Sequence, residues 1–122
     1  LYTGHQTAGW QLLEYRSESL EDGGNSLRAR IQTTEGIIQL NGKGNGLLSA
    51  AADALKSRFK LTFAIEDYHE HTLGRHNESR SVAYIHCTFA DGESRWGVCI
   101  DNEVARASLQ ALLNALPLYS RD

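Results

Sequence analysis

One order of elements occurs twice in this chain, and a duplication constrains the fold more than any single motif does. In "LRARIQ" the apolar Leu27, Ala29 and Ile31 alternate with Arg28, Arg30 and Gln32, the period of a strand with one wet face. "GWQLLEYRSES" before it reads as a partner strand, with the turn supplied by "EDGGN", Glu21 to Asn25. "EGIIQLNG" follows as a third strand, entered at Glu35 and Gly36. The period then changes: Leu48, Ala51, Ala52, Leu55 and Phe59 form one stripe of a helix with small residues for close packing. The second pass repeats this. "KLTFAIEDYHEHT" is a strand whose alternation falters after Ile65, and "SVAYIHCTFADGES" places Ala83, Ile85, Cys87 and Phe89 on one face and ends in an Asp91-Gly92 turn. In "RWGVCID", Trp96, Val98 and Ile100 are in phase, and Val104, Ala107, Ser108, Ala111, Leu112 and Ala115 mark a second helix. Asp101 or Asn102 is its expected N-cap, and Pro117 its stop.

The expected fold is therefore α+β: two consecutive βββα units, antiparallel sheets packed against helices, in a pseudo-twofold duplication. Unit one runs over about 9–60 and unit two over about 61–117 of a single domain, 1–122. A unit of about 60 residues buries only a marginal core, so the two are expected to share one. The 41% hydrophobic content can supply it, and no apolar run of about 18 residues exists to span a bilayer. A net charge of -3 argues against nucleic acid as a partner. Two cysteines, Cys87 and Cys99, are too few for a disulfide-stapled secreted domain, and no basic segment leads into an apolar one. A cytoplasmic location is expected. Leu1 is not an initiator methionine, and the chain is expected to be a piece of a longer protein.

Gly42, Gly44 and Gly46 follow a strand and precede a helix, where free N–H groups of a first turn can meet an anion. A dinucleotide fingerprint would need glycine at Leu47, and Lys43 is not in a P-loop arrangement. Close helix packing explains the same glycines without a ligand. A second constellation is "YHEHT": His69 and His71 share a strand face about 7 Å apart, a usable spacing for two zinc ligands. Asp67, His76, His86 or Cys87 would have to add a third; the alternative is a hydrogen-bonded surface role. Cys87, on an apolar face, reads as core. Glu14, Glu66, Asp67 and Glu70 have no nucleophile or companion base and read as solvated.

"GKGNGLLSAAADAL" resembles the G-x-G-N-G-P-hydrophobic-x-A motif of the C-terminal regulatory domain of 2-isopropylmalate synthase. "DYHEHTLG", "AYI" and "WGVCIDNEVARASLQALLNAL" follow in that domain's order, so that the resemblance extends from about Gly9 to Leu116. The resemblance implies a pair of βββα units that forms a homodimer and binds L-leucine, the pathway end product, which lowers the activity of a separate (β/α)8 catalytic barrel. That parent would condense acetyl-CoA with 2-oxoisovalerate, and its divalent metal would lie outside this chain. This chain would itself hold no cofactor and catalyse nothing. Carried over by position, the effector would meet backbone at Gly44 and Gly46 and side chains of Leu48, Ser49, Ile65, Tyr68, Thr72, Ser79 and Val104.

The sequence departs from the family pattern at several places. Leu47 replaces a proline, Ser49 stands where a small or acidic residue is frequent, and Thr72 and Ser79 replace alanines, making the site's rim more polar. Cys99 stands where the second unit often has glycine, and would be strained if that position has positive φ. A regular strand would put Ile65 and Tyr68 on opposite faces, so either a bulge intervenes or the two serve different pockets. Two other readings of the same fold are an isoleucine-sensing domain of a citramalate synthase and a purely structural or metal-binding module.

Overall fold

The structure, a computed structural model, describes residues 10–73 and 80–116. Its elements are β1 (Gln11–Ser19), β2 (Asn25–Thr33), β3 (Gly36–Gly44), α1 (Leu47–Phe59), β4 (Phe63–Leu73), β5 (Arg80–Phe89), β6 (Ser94–Asp101) and α2 (Val104–Ala115). This is the duplicated βββα order. Each unit holds a three-stranded antiparallel sheet, β1-β2-β3 in one and β4-β5-β6 in the other. Gln11–Thr62 form one compact unit, and the chain from Phe63, together with Trp10, forms the other.

In the first unit, Leu27, Ala29 and Ile31 are buried beneath α1, each at most 4% exposed. The tight β1–β2 turn needs Gly23 at φ 94, and the Asp22 carboxylate accepts from Gly24 N at 3.0 Å. The buried stripe of α1 is rotated from the one the sequence suggests. Ala50 and Ala54 join Ala51, Ala52 and Leu55 inside, whereas Leu48 and Phe59 are only half-buried. The cause is Gly42 on β3, where a Cβ would fall on the Ala50 carbonyl oxygen and 2.7 Å from Ala54 N. Glycine facing alanine lets the helix backbone lie on the strand.

The second unit uses the same device at Gly97, where a Cβ would fall on the Ala111 carbonyl oxygen and 2.6 Å from Ala115 N. That contact decides which face of β6 is inside. Trp96, Val98 and Ile100, in phase as the sequence indicates, point away from α2 and are 52%, 39% and 48% exposed. On β5, Ala83, Ile85 and Cys87 are inside as expected, each at most 1% exposed. Full burial of a side chain such as Ile85 or Leu112 contributes about 1.5–3 kcal/mol. The N-cap of α2 is Glu103 rather than Asp101 or Asn102, and Asp101 instead accepts from Glu103 N at 3.0 Å. The helix ends at Ala115, and Leu116 turns extended at ψ 143, as a residue before proline should. Cys99 is not among the positive-φ residues, so glycine's conformational freedom is not needed there.

Candidate functional site

The glycine-rich stretch is less of a loop than its sequence implies. Gly42 and Gly44 belong to β3, and only Asn45 and Gly46 connect the strand to α1. Gly44 is fixed by packing, since a Cβ there would lie 2.6 Å from Ser49 Cβ and 2.7 Å from Ala50 N. Gly46, the N-cap of α1, has φ -161, extended backbone open to any residue, and a Cβ on it would meet nothing within 4 Å. The need for an unusual φ at Gly46 is thus removed, and what is left is open space at the start of a helix.

That start is electrically uncompensated. No side chain caps α1 and no acidic residue lies in its first turn, so its first N–H groups and dipole face outward without an anion. The start of α2 likewise has no side-chain cap and no acid in its first turn, and differs in being flanked by the carboxylates of Asp101 and Glu103. Lys43 N donates to Asp53 Oδ2 at 3.1 Å, which ties the end of β3 to α1 beside this opening. Leu48 is half-buried and Ser49 exposed at its rim.

In the second unit, the phase conflict between Ile65 and Tyr68 is resolved by a β-bulge. Ile65 pairs with Cys87, Glu66 is passed over, and Asp67 pairs with His86 and Tyr68 with Ile85. Ile65 and Tyr68 therefore share the helix-side face. β1 repeats the irregularity between Leu12 and Glu14, which gives Tyr15 opposite Ala29 the position in its unit that Tyr68 has in the other. Because α2 lies over β5 and β6, the helix side of β4 is left partly open: Tyr68 is 37% exposed and Thr72 is exposed.

Tyr68 Oη lies 2.5 Å from Glu70 Oε1 and 2.7 Å from Ser108 Oγ, and Ser108 Oγ lies 3.0 Å from the Val104 carbonyl oxygen. One phenolic proton serves one acceptor. With Tyr68 donating to the Glu70 carboxylate, the Ser108 hydroxyl donates to Tyr68. Burial, then Glu70, raises the Tyr68 phenol above its ordinary pKa, with Ser108 pulling the other way. Sequence reading missed both partners. Ser108 looked like one more small residue of the helical stripe and Glu70 like a solvated acid; the bulge that aims Tyr68 at them leaves only a broken alternation as its trace. Val104 stands at the first turn of the same helix, 41% exposed. Ser79 and His76 lie outside the described residues.

Among the described residues no three His, Cys, Asp or Glu side chains converge to hold a metal ion. His69 and His71 lie on the face away from α2, opposite Tyr84 and Val82, whereas Cys87 is on the helix side. His71 meets Tyr84 edge-on at 5.8 Å, and His86 stacks on Trp96 at 4.6 Å. Among the described residues no helix is long and apolar enough to cross a membrane.

Residues 2–119 match the family model described as the LeuA allosteric (dimerisation) domain. The chain is similar to the 2-isopropylmalate synthase of Marinomonas sp. (strain MWYL1), 44% identical over 110 residues, which is 89% of this chain and 20% of that protein. It is also similar to the 2-isopropylmalate synthases of Thermobifida fusca (38% identical; 86% of this chain, 18% of that one) and Saccharomyces cerevisiae (28%; 91% and 19%). The chain thus spans about a fifth of the length of these relatives.

Proposed function

The chain belongs to the LeuA allosteric (dimerisation) domain family, and from that premise we propose that it is the feedback-regulatory part of a cytoplasmic 2-isopropylmalate synthase and binds L-leucine as an inhibitor. The observation that carries this reading is the uncapped N-terminus of α1 beside the open space at Gly46. The ligand's carboxylate is bound by the first-turn N–H groups and the positive helix end. Leu48 and Ser49, at the rim of that opening, form its near wall. Gly44 acts indirectly, by allowing α1 to sit where it does.

A regulatory domain works by differential affinity. Leucine lowers activity only if it binds the less active state of the parent more tightly, and where it changes the affinity for a substrate of the barrel, that substrate changes leucine affinity by the same factor. The association is a homodimer. Acetyl-CoA and 2-oxoisovalerate, with a divalent metal, belong to the barrel, and no chemical step is assigned to this chain.

Calorimetric titration of the chain with leucine, isoleucine and zinc tests this reading. Saturable binding of leucine in preference to isoleucine is expected. Preference for isoleucine would reassign the domain to a citramalate synthase, and zinc binding without either amino acid would make it a metal module.

A further inference from the structure

The two sheets differ on the faces turned away from their helices. On the second sheet that face carries Trp96, Val98 and Ile100; on the first it carries Arg16, Arg28, Arg30 and Lys43 with Glu14 and Glu18. Four cations stand there against two carboxylates, in a chain whose net charge is -3. A cleft of ≈ 260 Å³ opens on this face, lined by Glu14, Arg16, Arg28, Arg30 and Gln39, with the Tyr15–Ala29 pair between the two charged pairs.

The pairing within the cleft is informative. Arg30 Nε lies 3.2 Å from Glu14 Oε2, so one guanidinium is neutralised. Arg16 and Arg28 are directly opposite each other, and neither makes an ion pair among the described residues. Like charges at directly opposed positions destabilise a sheet. Two uncompensated guanidiniums match a ligand of two negative charges, and their planar forks match paired oxygens on one centre. The Gln39 amide, opposite Arg30, adds a neutral donor at the rim.

We propose that the outer face of β1-β2-β3 is a binding site for a compact phosphate dianion, clamped by Arg16 and Arg28, with Arg30 held in place by Glu14. The site is separate from the β3–α1 opening and does not rest on the leucine reading. Among the described residues of this sheet, the aromatic beside the cleft is Tyr15, whose pairing with Ala29 turns its side chain to the helix side, so the phosphoryl group itself is what is recognised.

The test is a phosphorus NMR and calorimetric titration of the chain at constant ionic strength, with inorganic phosphate in one arm and methyl phosphate in the other. Saturation at one site per chain is expected. Saturation by both probes identifies free phosphate as a sufficient ligand; saturation by methyl phosphate alone identifies an esterified one. Either Arg16→Gln or Arg28→Gln should weaken binding at least about tenfold, while Arg80→Gln in the other sheet changes it by less than about twofold. Both clamp residues are exposed, and circular dichroism confirms that the variants are folded. Three results would overturn the proposal: no saturation by either probe, equal weakening by Arg80→Gln, or displacement of the phosphate by leucine, which would put the anion at the start of α1.

Discussion

Tyr68 Oη sits 2.7 Å from Ser108 Oγ, joining an edge strand to a helix forty residues later in the chain. The bond exists because the bulge at Glu66 returns Tyr68 to the helix side of β4. Removing the hydroxyl by Tyr68→Phe should lower stability by about 0.5–1.5 kcal/mol, the net worth of one such bond, since the Ser108 hydroxyl can then turn its proton to the Val104 carbonyl and Glu70 is exposed to water. Urea denaturation measures it; a loss above about 3 kcal/mol would exceed what one such hydrogen bond contributes and contradict this account.

The same residue sets an alkaline limb. Its folded pKa is raised from the ordinary 10.0 by burial and by Glu70, so above pH 10 the folded state keeps a proton that the unfolded chain loses. The stabilisation is fully present below the unfolded pKa and is lost as pH rises through the folded one. Cys99, raised from 9.0 by burial and then by Asp101, acts with the same sign from lower pH. The melting temperature should therefore fall above pH 9, and Tyr68→Phe should flatten the part above pH 10. An unaltered slope in the variant would dissociate Tyr68 from this limb.

Gly42 and Gly46 are four residues apart and should respond oppositely to alanine. Gly42→Ala drives a methyl group into the α1 backbone and should cost about 2–3 kcal/mol, at the upper end of overpacking penalties. Gly46→Ala meets open space at an ordinary φ and should change stability by less than about 1 kcal/mol, the weaker N-cap being offset by lower unfolded-state entropy. Denaturation midpoints of the two variants decide it, and equal midpoints would contradict the packing argument.

Gly46→Val carries the functional side of that contrast. Its side chain occupies the space assigned to the leucine carboxylate, so leucine affinity should drop at least about tenfold, or roughly 1.4 kcal/mol, with the fold retained. Calorimetry on the folded variant reads this directly. Unaltered affinity would place the effector elsewhere.

Light scattering should give about twice the mass of one chain at micromolar concentration, with or without leucine. The exposed row of Trp96, Val98 and Ile100 is the apolar surface that association should cover. Trp96→Asp would desolvate a charge there and should raise the dimer dissociation constant at least about tenfold. A variant dimer as tight as the parent would put the interface on another surface.

The repeat of strands and helices was legible because periodicity is a local property. Leu27, Ala29 and Ile31 alternate whatever surrounds them, and Asp91-Gly92 turns the chain by its own dihedral preferences, with Gly92 at φ 91. The opening at Gly46 was also legible, as a glycine before a helix with no acidic first turn. The Tyr68, Glu70 and Ser108 chain was not, because its members become neighbours only through a bulge and a distant helix.

The sequence by itself determined the element order, the turns and the inner faces of β2 and β5, where alternation of apolar and polar side chains leaves one choice. It did not determine which glycine serves packing and which leaves space, nor which side of β6 is inside. Those depend on where a helix backbone comes to rest. Alternation alone would bury Trp96, Val98 and Ile100, but α2 needs its backbone against Gly97, and only tertiary contact at Ala111 and Ala115 sets that preference over a larger apolar face. Close backbone approach at one glycine fixes the phase of the whole strand, because side chains on a strand can exchange faces only all together.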